Sequence, residues 1–190
     1  MAFKATIVFR PAPVPPVTTP PPPRSTKPTA RAACRLRTPL DANWAPCRCD
    51  RLAEFAARMN RRLGQLRPEL VVSSAFAIFP WSKENYLRDW PCWIREGYFD
   101  LVCPQIHRDD AASYRRELAK VLHAQIPPET RAAMPPGLLV ATAAQSEVDR
   151  TLVAAMAAEN RRQGLLGEVF FYDSALRNDP DFFRLLYRQP

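Results

Sequence analysis

The sequence predicts an α/β fold built on parallel strands, and three observations predict it. Between Leu70 and Tyr187 one unit recurs about every 30 residues: a short apolar run, a break, then an amphipathic helix. The four apolar runs, Leu70–Ser73, Phe99–Cys103, Gly137–Ala141 and Gly167–Tyr172, are nearly continuous rather than alternating. Strands covered by helices on both faces read this way. The stretches between the runs have the length and period of crossover helices, the mark of βαβ units. Four such units behind a leading helix make half of an eightfold α/β barrel, or a small open sheet.

The elements follow in order. The first 46 residues hold 11 of the 21 prolines, among them Pro20 to Pro23, and few large apolar side chains. Such a segment favours extended polyproline II and cannot bury enough surface to offset ordering. Residues 1–46 are therefore expected to be a disordered tail, and residues 47–190 the folded domain. Asp50 caps a helix reaching about Leu66, with Leu52, Phe55, Ala56, Met59 and Leu63 on one face. Arg67-Pro68 ends it. The first strand, Leu70–Ser74, leads into an aromatic loop from Phe76 to Trp81. Asn85 to Gly97 is helical. Pro91 fits only a first turn, so the regular helix starts near Asp89 or Trp90 and stops at Gly97.

The second strand, Phe99–Gln105, runs into His107-Arg108-Asp109-Asp110, where an Asp can cap the next helix. That helix spans Ala111 to about Ala124 and buries Tyr114, Leu118, Val121 and Leu122. After a Pro-rich connection the third strand covers Gly137–Thr142. Ser146 and Asp149, three apart, signal the start of a helix that reaches Gln163 and stops at Gly164. The fourth strand is Gly167–Tyr172, and Pro180 opens a last helix ending at Tyr187.

The net charge of +8 belongs mostly to the tail. Residues 1–51 carry nine Lys or Arg against Asp41 and Asp50, whereas the remainder has 18 basic against 17 acidic residues. The nearly neutral folded part presents no nucleic-acid face; a basic tail touches polyanions only without specificity. The five cysteines lack a framework spacing, and Cys47-Arg48-Cys49 is too tight for the usual zinc or thioredoxin motif. This pattern argues against a disulfide scaffold and for a reducing compartment. No run of 18 apolar residues could span a membrane, and prolines interrupt any secretory core at the N-terminus. As given, the chain reads as cytoplasmic.

Parallel α/β folds bind ligands where the strands deliver their carboxyl ends. Those positions are Ser73 and Ser74, Gln105 and His107, Thr142 and Gln145, and Tyr172 and Asp173. His107, Asp109, Asp110 and Asp173 are candidate acids or bases, and each has a plainer reading as a helix cap or hydrogen-bonded loop residue. Phe76, Phe79, Trp81, Trp90, Trp93 and Tyr172 are of the type that stacks on sugar rings, or fills a core; Trp93 reads as core. No glycine-rich phosphate loop, nucleophile elbow or metal-ligand set is present, and no cofactor is expected.

Two stretches carry a resemblance. Tyr86-Leu87-Arg88-Asp89-Trp90-Pro91-Cys92-Trp93, followed by Gln105-Ile106-His107-Arg108-Asp109-Asp110, resembles the Tyr-Leu-Gln-Asp-Trp-Pro-x-Trp and Gln-x-Tyr-Arg-Asp-Asp segments of the glycoside-hydrolase-like family 10 proteins. Arg161-Arg162-Gln163-Gly164 through Gly167-Glu168-Val169-Phe170-Phe171-Tyr172-Asp173 is similar to that family's Arg-x-x-Gly-x-x-Gly-Val-x-Phe-Phe-Tyr-Glu. The likeness covers about residues 50–187.

The resemblance implies the C-terminal half of a (β/α)8 TIM-type barrel: helix 4, then strands 5 to 8 with their helices. It implies a carbohydrate ligand contacted by Gln105, His107, Tyr172, Trp81 and Trp90. It leaves Asp173 and Asp109 as the only candidates for catalysis, because the family's Asp-Gly-x-x-x-Asp-Asp segment on strand 4 has no counterpart here. His107 stands in place of a Tyr, and Ala75-Phe76 in place of a common Ser-Pro. The family is often exported. Leu40 to Leu52 looks like a distorted copy of its Asp-Pro-x-Trp-Val-x-Trp-Arg-x-Asp-Arg-Leu, with nothing family-like upstream, so a frameshifted or truncated reading frame is the expectation.

The functional expectation is a glycoside-hydrolase fragment acting on oligo- or polysaccharide and inactive alone. A half barrel leaves open strand edges, so self-association or a complementing N-terminal half-barrel is expected as partner. The alternative is a non-catalytic interaction protein, since Arg10-Pro11-Ala12-Pro13-Val14-Pro15-Pro16 fits a proline-rich groove ligand.

Overall fold

The computed structural model describes residues 6–9, 44–140 and 149–188. Its centre is a five-stranded sheet in the order β1-β5-β4-β3-β2. The strands are β1 (Thr6–Phe9), β2 (Ser73–Ala77), β3 (Leu101–Gln105), β4 (Gly137–Leu139) and β5 (Gly167–Phe171). The four strands from β2 to β5 are mutually parallel and lie in sequence order, as the repeat predicts. Only β1 runs antiparallel, pairing Thr6 with Phe170 and Phe9 with Gly167. The expectation of a structureless segment through residue 46 is thereby corrected at two places, since Thr6–Phe9 is a strand and the leading helix already begins at Trp44.

That helix, α1 (Trp44–Leu66), starts six residues before Asp50, so Asp50 lies inside it and caps nothing. Pro46 does not prevent the earlier start, because a first turn has no use for its missing N–H. The other α-helices are α2 (Trp81–Tyr86), α3 (Trp90–Arg95), α4 (Ala111–Lys120), α5 (Arg150–Arg162), α6 (Asp173–Asn178) and α7 (Pro180–Arg188); a π-helical turn, Val121–Gln125, continues α4, and a 3-10 helix spans Pro128–Ala133. Pro91 sits in the first turn of α3, and Gly97, at φ 67°, turns the chain just beyond it. The Asp110 side chain accepts from Ser113 N–H and caps α4. In α5 the cap is Asp149, accepting from Leu152 N–H. Helix α6 carries no strong sequence signal: it has six residues, and its preceding Tyr172 makes no side-chain cap.

The first predicted strand is displaced by three residues. Leu70 and Val71, which read as strand, remain exposed, and pairing starts only at Ser73. The reason lies at Asp100, whose carboxylate accepts from Val72 N–H while Val72 O accepts from Leu101 N–H. The lead-in is pinned as a turn, and the ladder begins after it.

Strands β3 and β5 are buried at four of five positions each, the pattern of strands covered on both faces. Trp90, Tyr114, Ile106, Leu118, Leu138, Met156 and Phe170 are fully enclosed in the core between sheet and helices. Tyr114, Leu118, Val121 and Leu122 are all buried, as their helical spacing predicts. Cys103 in β3 behaves as a small apolar residue, and burial pushes its thiol up to about 12. Cys47 is disulfide-bonded, whereas Cys49, Cys92 and Cys103 are free. The reducing compartment read from the cysteine pattern therefore loses its support.

Helix α4 packs on α5. Inside the contact Tyr114 donates to Asn160 Oδ1 at 2.6 Å, a buried bond between the two helices. At the rim Glu159 of α5 accepts from Arg162 and Gln163 of its own last turn and from Arg115 of α4. Its bond to Arg162, more than any other contact, lowers the Glu159 carboxyl to about 2. The folded state thus holds this group ionised below the unfolded Glu value of about 4.3. The stabilisation is complete above that value and is lost as pH falls toward 2. Since the arginine partners are exposed, its worth is on the order of 1 kcal/mol. Glu159→Gln is expected to lower stability at pH 7 and to flatten the stability–pH curve between about pH 4.5 and 2, read by urea unfolding at fixed pH.

Candidate functional site

Because β2 to β5 are parallel, their carboxyl ends open on one end of the sheet. Gln105 ends β3 and lies opposite Gly137 of β4. Ile106 N–H then donates to Gly137 O, and Val140 N–H to Phe171 O, so the three strand ends are tied by backbone bonds. A β-carbon at Gly137 would stand 3.3 Å from Pro104 O and 3.4 Å from Gln105 Cα. A side chain here fits only if the β3 backbone gives by a few tenths of an ångström, so the close approach of β4 to β3 favours glycine.

Two residues past Gln105, the His107 ring stacks on Phe171, 5.6 Å between centroids and 23° between planes. Phe171 in turn lies 3.9 Å from the Tyr172 ring, and the peptide bond joining these two residues is cis. Three rings, one from just past β3 and two from the end of β5 and the residue after it, thus form one ladder. Within it the His107 Nε2 is buried without a hydrogen-bond partner among the described residues. Burial first, and the Arg108 charge second, push the His107 pKa below its ordinary value. The ring is therefore neutral at pH 7 and offers one donor and one acceptor nitrogen.

The carboxylates are committed elsewhere. Asp110 caps α4, and its bonds to Ser113 hold its carboxyl below the usual range. Asp173 pairs with Arg177 one turn along α6, at 2.6 Å. Asp109 is exposed on the loop before α4.

The remaining candidates divide. Ser73 and Ser74 begin β2 rather than end it, because the strand is displaced, and so do not belong to the strand-end cluster. Ala75-Phe76 likewise lies within the strand, with Phe76 buried. Trp90 is corrected from ligand contact to core: its ring is fully buried and its Nε1 donates to Ala77 O. Trp93 is core, as read. Trp81 stands on α2 just past the end of β2, with almost half of its surface in water. Thr142, Gln145 and the Arg10–Pro16 segment lie outside the described residues. Sequence reasoning missed Phe171 as the ring joining His107 to Tyr172; as a strand-end aromatic flanked by core residues, it carried no separate signal.

A concavity of about 280 Å³ lies between α1 and β2, lined by Leu52, Phe55, Met59, Phe76, Trp93 and Arg88 among others. It contains no carboxylate. Among the described residues no cluster of three His, Cys, Asp or Glu side chains could hold a metal ion, and no helix is long and apolar enough to cross a membrane.

A family described as Glycosyl hydrolase-like 10 matches residues 24–146. The match begins within the segment set apart by composition, so the reading that nothing upstream of Leu40 resembles the family is corrected. Among solved structures, the glycoside hydrolase domain of PgaB (BpsB) from Bordetella bronchiseptica is similar, with a TM-score of 0.60 at 16% identity. The alignment covers 82% of this chain and 46% of that chain. This chain therefore spans about half the length of that relative. Among curated proteins no sequence matches significantly.

Two outcomes test the geometry. Gly137→Ala is expected to cost about 1–3 kcal/mol, because rigid backbone must move to admit the methyl group, and thermal unfolding reads it. His107, neutral in the fold, takes up its proton more readily in the unfolded chain. Stability should therefore decline as pH falls below about 6.5, and His107→Phe should remove that part of the decline in pH-dependent unfolding.

Proposed function

We propose, on the premise that this chain belongs to the glycosyl hydrolase-like 10 family, that the ends of β3 and β5 bind an oligo- or polysaccharide without cleaving it. The observation that carries this reading is the ladder His107–Phe171–Tyr172, two residues past Gln105 at the end of β3, with one buried ring nitrogen without a partner among the described residues. A buried polar atom without a partner costs free energy unless a ligand or water completes it. Gln105 supplies an amide donor and acceptor for sugar hydroxyls, His107 a neutral nitrogen, and Tyr172 a ring face. In parallel α/β folds this end is where ligands sit.

Hydrolysis makes a further demand. A glycosidase needs an acid and a second carboxylate about 5 to 9.5 Å apart, on either side of the scissile bond. Asp110 is a cap and Asp173 is held by Arg177, which leaves Asp109 without an opposing group among the described residues. The strand-4 carboxylates of the family have no counterpart in this sequence. A complementing N-terminal half-barrel would supply them. The outer edge of β2 has no neighbouring strand among the described residues, and Phe55, Leu66, Leu70 and Val71 are exposed on α1 and the turn leading into β2. Such an edge invites pairing. A second copy is the other candidate for it.

The full chain, titrated calorimetrically with oligosaccharides, is expected to bind but to release no reducing ends above a buffer blank. Gln105→Ala should weaken binding about fivefold, the worth of one hydrogen bond, while Asp173→Asn leaves it unchanged. Turnover that vanishes in Asp173→Asn would overturn the non-catalytic reading, and failure to bind any saccharide would overturn the ligand class.

A further inference from the structure

Trp81 and Tyr86 are 45% and 50% exposed, an unusual exposure for two adjacent large aromatic side chains on one short helix. They meet edge to face, with centroids 5.0 Å apart and planes at 80°. The Arg88 guanidinium lies over the Tyr86 ring at 5.1 Å and has no carboxylate partner among the described residues. The neighbouring cation, Lys83, is by contrast tied to Asp89 at 2.7 Å.

The rings are held rather than merely displayed. Ser82, between them and fully buried, donates through Oγ to Arg88 O, and Arg88 N–H returns a bond to Ser82 O. Leu87 closes α2 in the left-handed conformation, its N–H reaching Lys83 O. Asn85 donates to Trp81 O, and Gln125, from the segment after α4, donates to Phe79 O just ahead of the helix. A pinned pair of exposed rings loses little freedom on binding, which is what a recognition surface requires. Its place is also specific. The segment follows β2, so it stands at the end of the sheet where Gln105 and Phe171 emerge, with β2 and β5 roughly 14 Å apart across three strand spacings.

We propose that Trp81, Tyr86 and Arg88 form an accessory subsite that stacks a pyranose ring of a saccharide chain whose other end occupies the strand-end ladder. The inference rests on the carbohydrate reading above and extends it to ligand length. A disaccharide fills the ladder alone, whereas a longer chain reaches both. The apolar C–H face of the sugar covers ring surface now in water, and the free guanidinium donates to its hydroxyls.

The test uses the full chain, with di- and hexasaccharides of β-linked glucose, glucosamine and N-acetylglucosamine as probes in calorimetry. Trp81→Ala is expected to weaken hexasaccharide binding roughly tenfold, the worth of one aromatic contact, and to leave disaccharide binding within twofold. Trp81→Phe should keep most of the affinity. Tyr86→Ala, made independently, repeats the test should Trp81→Ala lose its circular dichroism spectrum. Hexasaccharide affinity unchanged in both alanine variants, yet weakened by Gln105→Ala, would overturn the subsite and leave the strand-end reading standing. A wild-type chain that binds none of the probes would overturn both. Light scattering that shows Trp81→Ala changing the molecular mass, without changing any saccharide affinity, would overturn the subsite and make the rings a protein contact.

Discussion

Three residues, Gly137 to Leu139, hold the middle of the sheet. Strand β4 is shorter than the strands on either side, and it meets β3 at a single register pair, Gln105 with Gly137. Everything at the functional end depends on that seam. Strands β3 and β5 are two spacings apart, roughly 9.6 Å, too far for rings in regular strands to stack. His107, two residues beyond β3, nonetheless stacks on Phe171, which pairs with Leu139 at the end of β4, so the ring contact spans the short central strand.

The polar groups inside the fold serve the same arrangement from the other side. Tyr114 and Asn160 lock α4 to α5, and Glu168, buried in β5, accepts from the Tyr187 hydroxyl of α7. Both bonds join elements distant in sequence, and both are charge-assisted or fully enclosed, where a lost partner costs most. Arg161 reinforces the second contact by donating to Leu186 O and lying over the Tyr187 ring. The helices that carry β4 and β5 into place are thus fixed by specific bonds as well as by apolar burial.

Chemistry and architecture point in different directions at this site. The chain belongs to a glycosyl hydrolase-like family and shares its fold with a glycoside hydrolase domain, yet Asp110 is spent on a helix cap and Asp173 on an ion pair. Aromatic rings and amides remain, the groups on which the proposed saccharide binding rests. Apart from Leu185 on α7, the exposed large apolar side chains among the described residues gather in two places, around the α1–β2 edge and on α2. The first follows from an unpaired strand edge, and the second from a short helix whose buried face is a single serine.

Much of this was legible in the residues themselves. Four nearly continuous apolar runs determined four parallel strands in sequence order, because only strands covered by helices tolerate that pattern. Helical spacing determined the buried face of α4, and Pro91, Gly97, Asp110 and Gly164 marked element ends through local backbone chemistry. What the sequence could not decide is what depends on distant partners. The Asp100 carboxylate, 28 residues away, displaced the first strand from Leu70 to Ser73. Trp90 and Trp81 are alike as residue types, and only the tertiary packing, with Trp90 in the core and its Nε1 bonded to Ala77 O, made one core and the other surface. The antiparallel strand Thr6–Phe9 is a short β-branched run just ahead of the prolines, too brief to be read as a strand without its pairing partner some 160 residues further along the chain. Local patterns encode which elements form; contact between remote segments decides where their side chains end up.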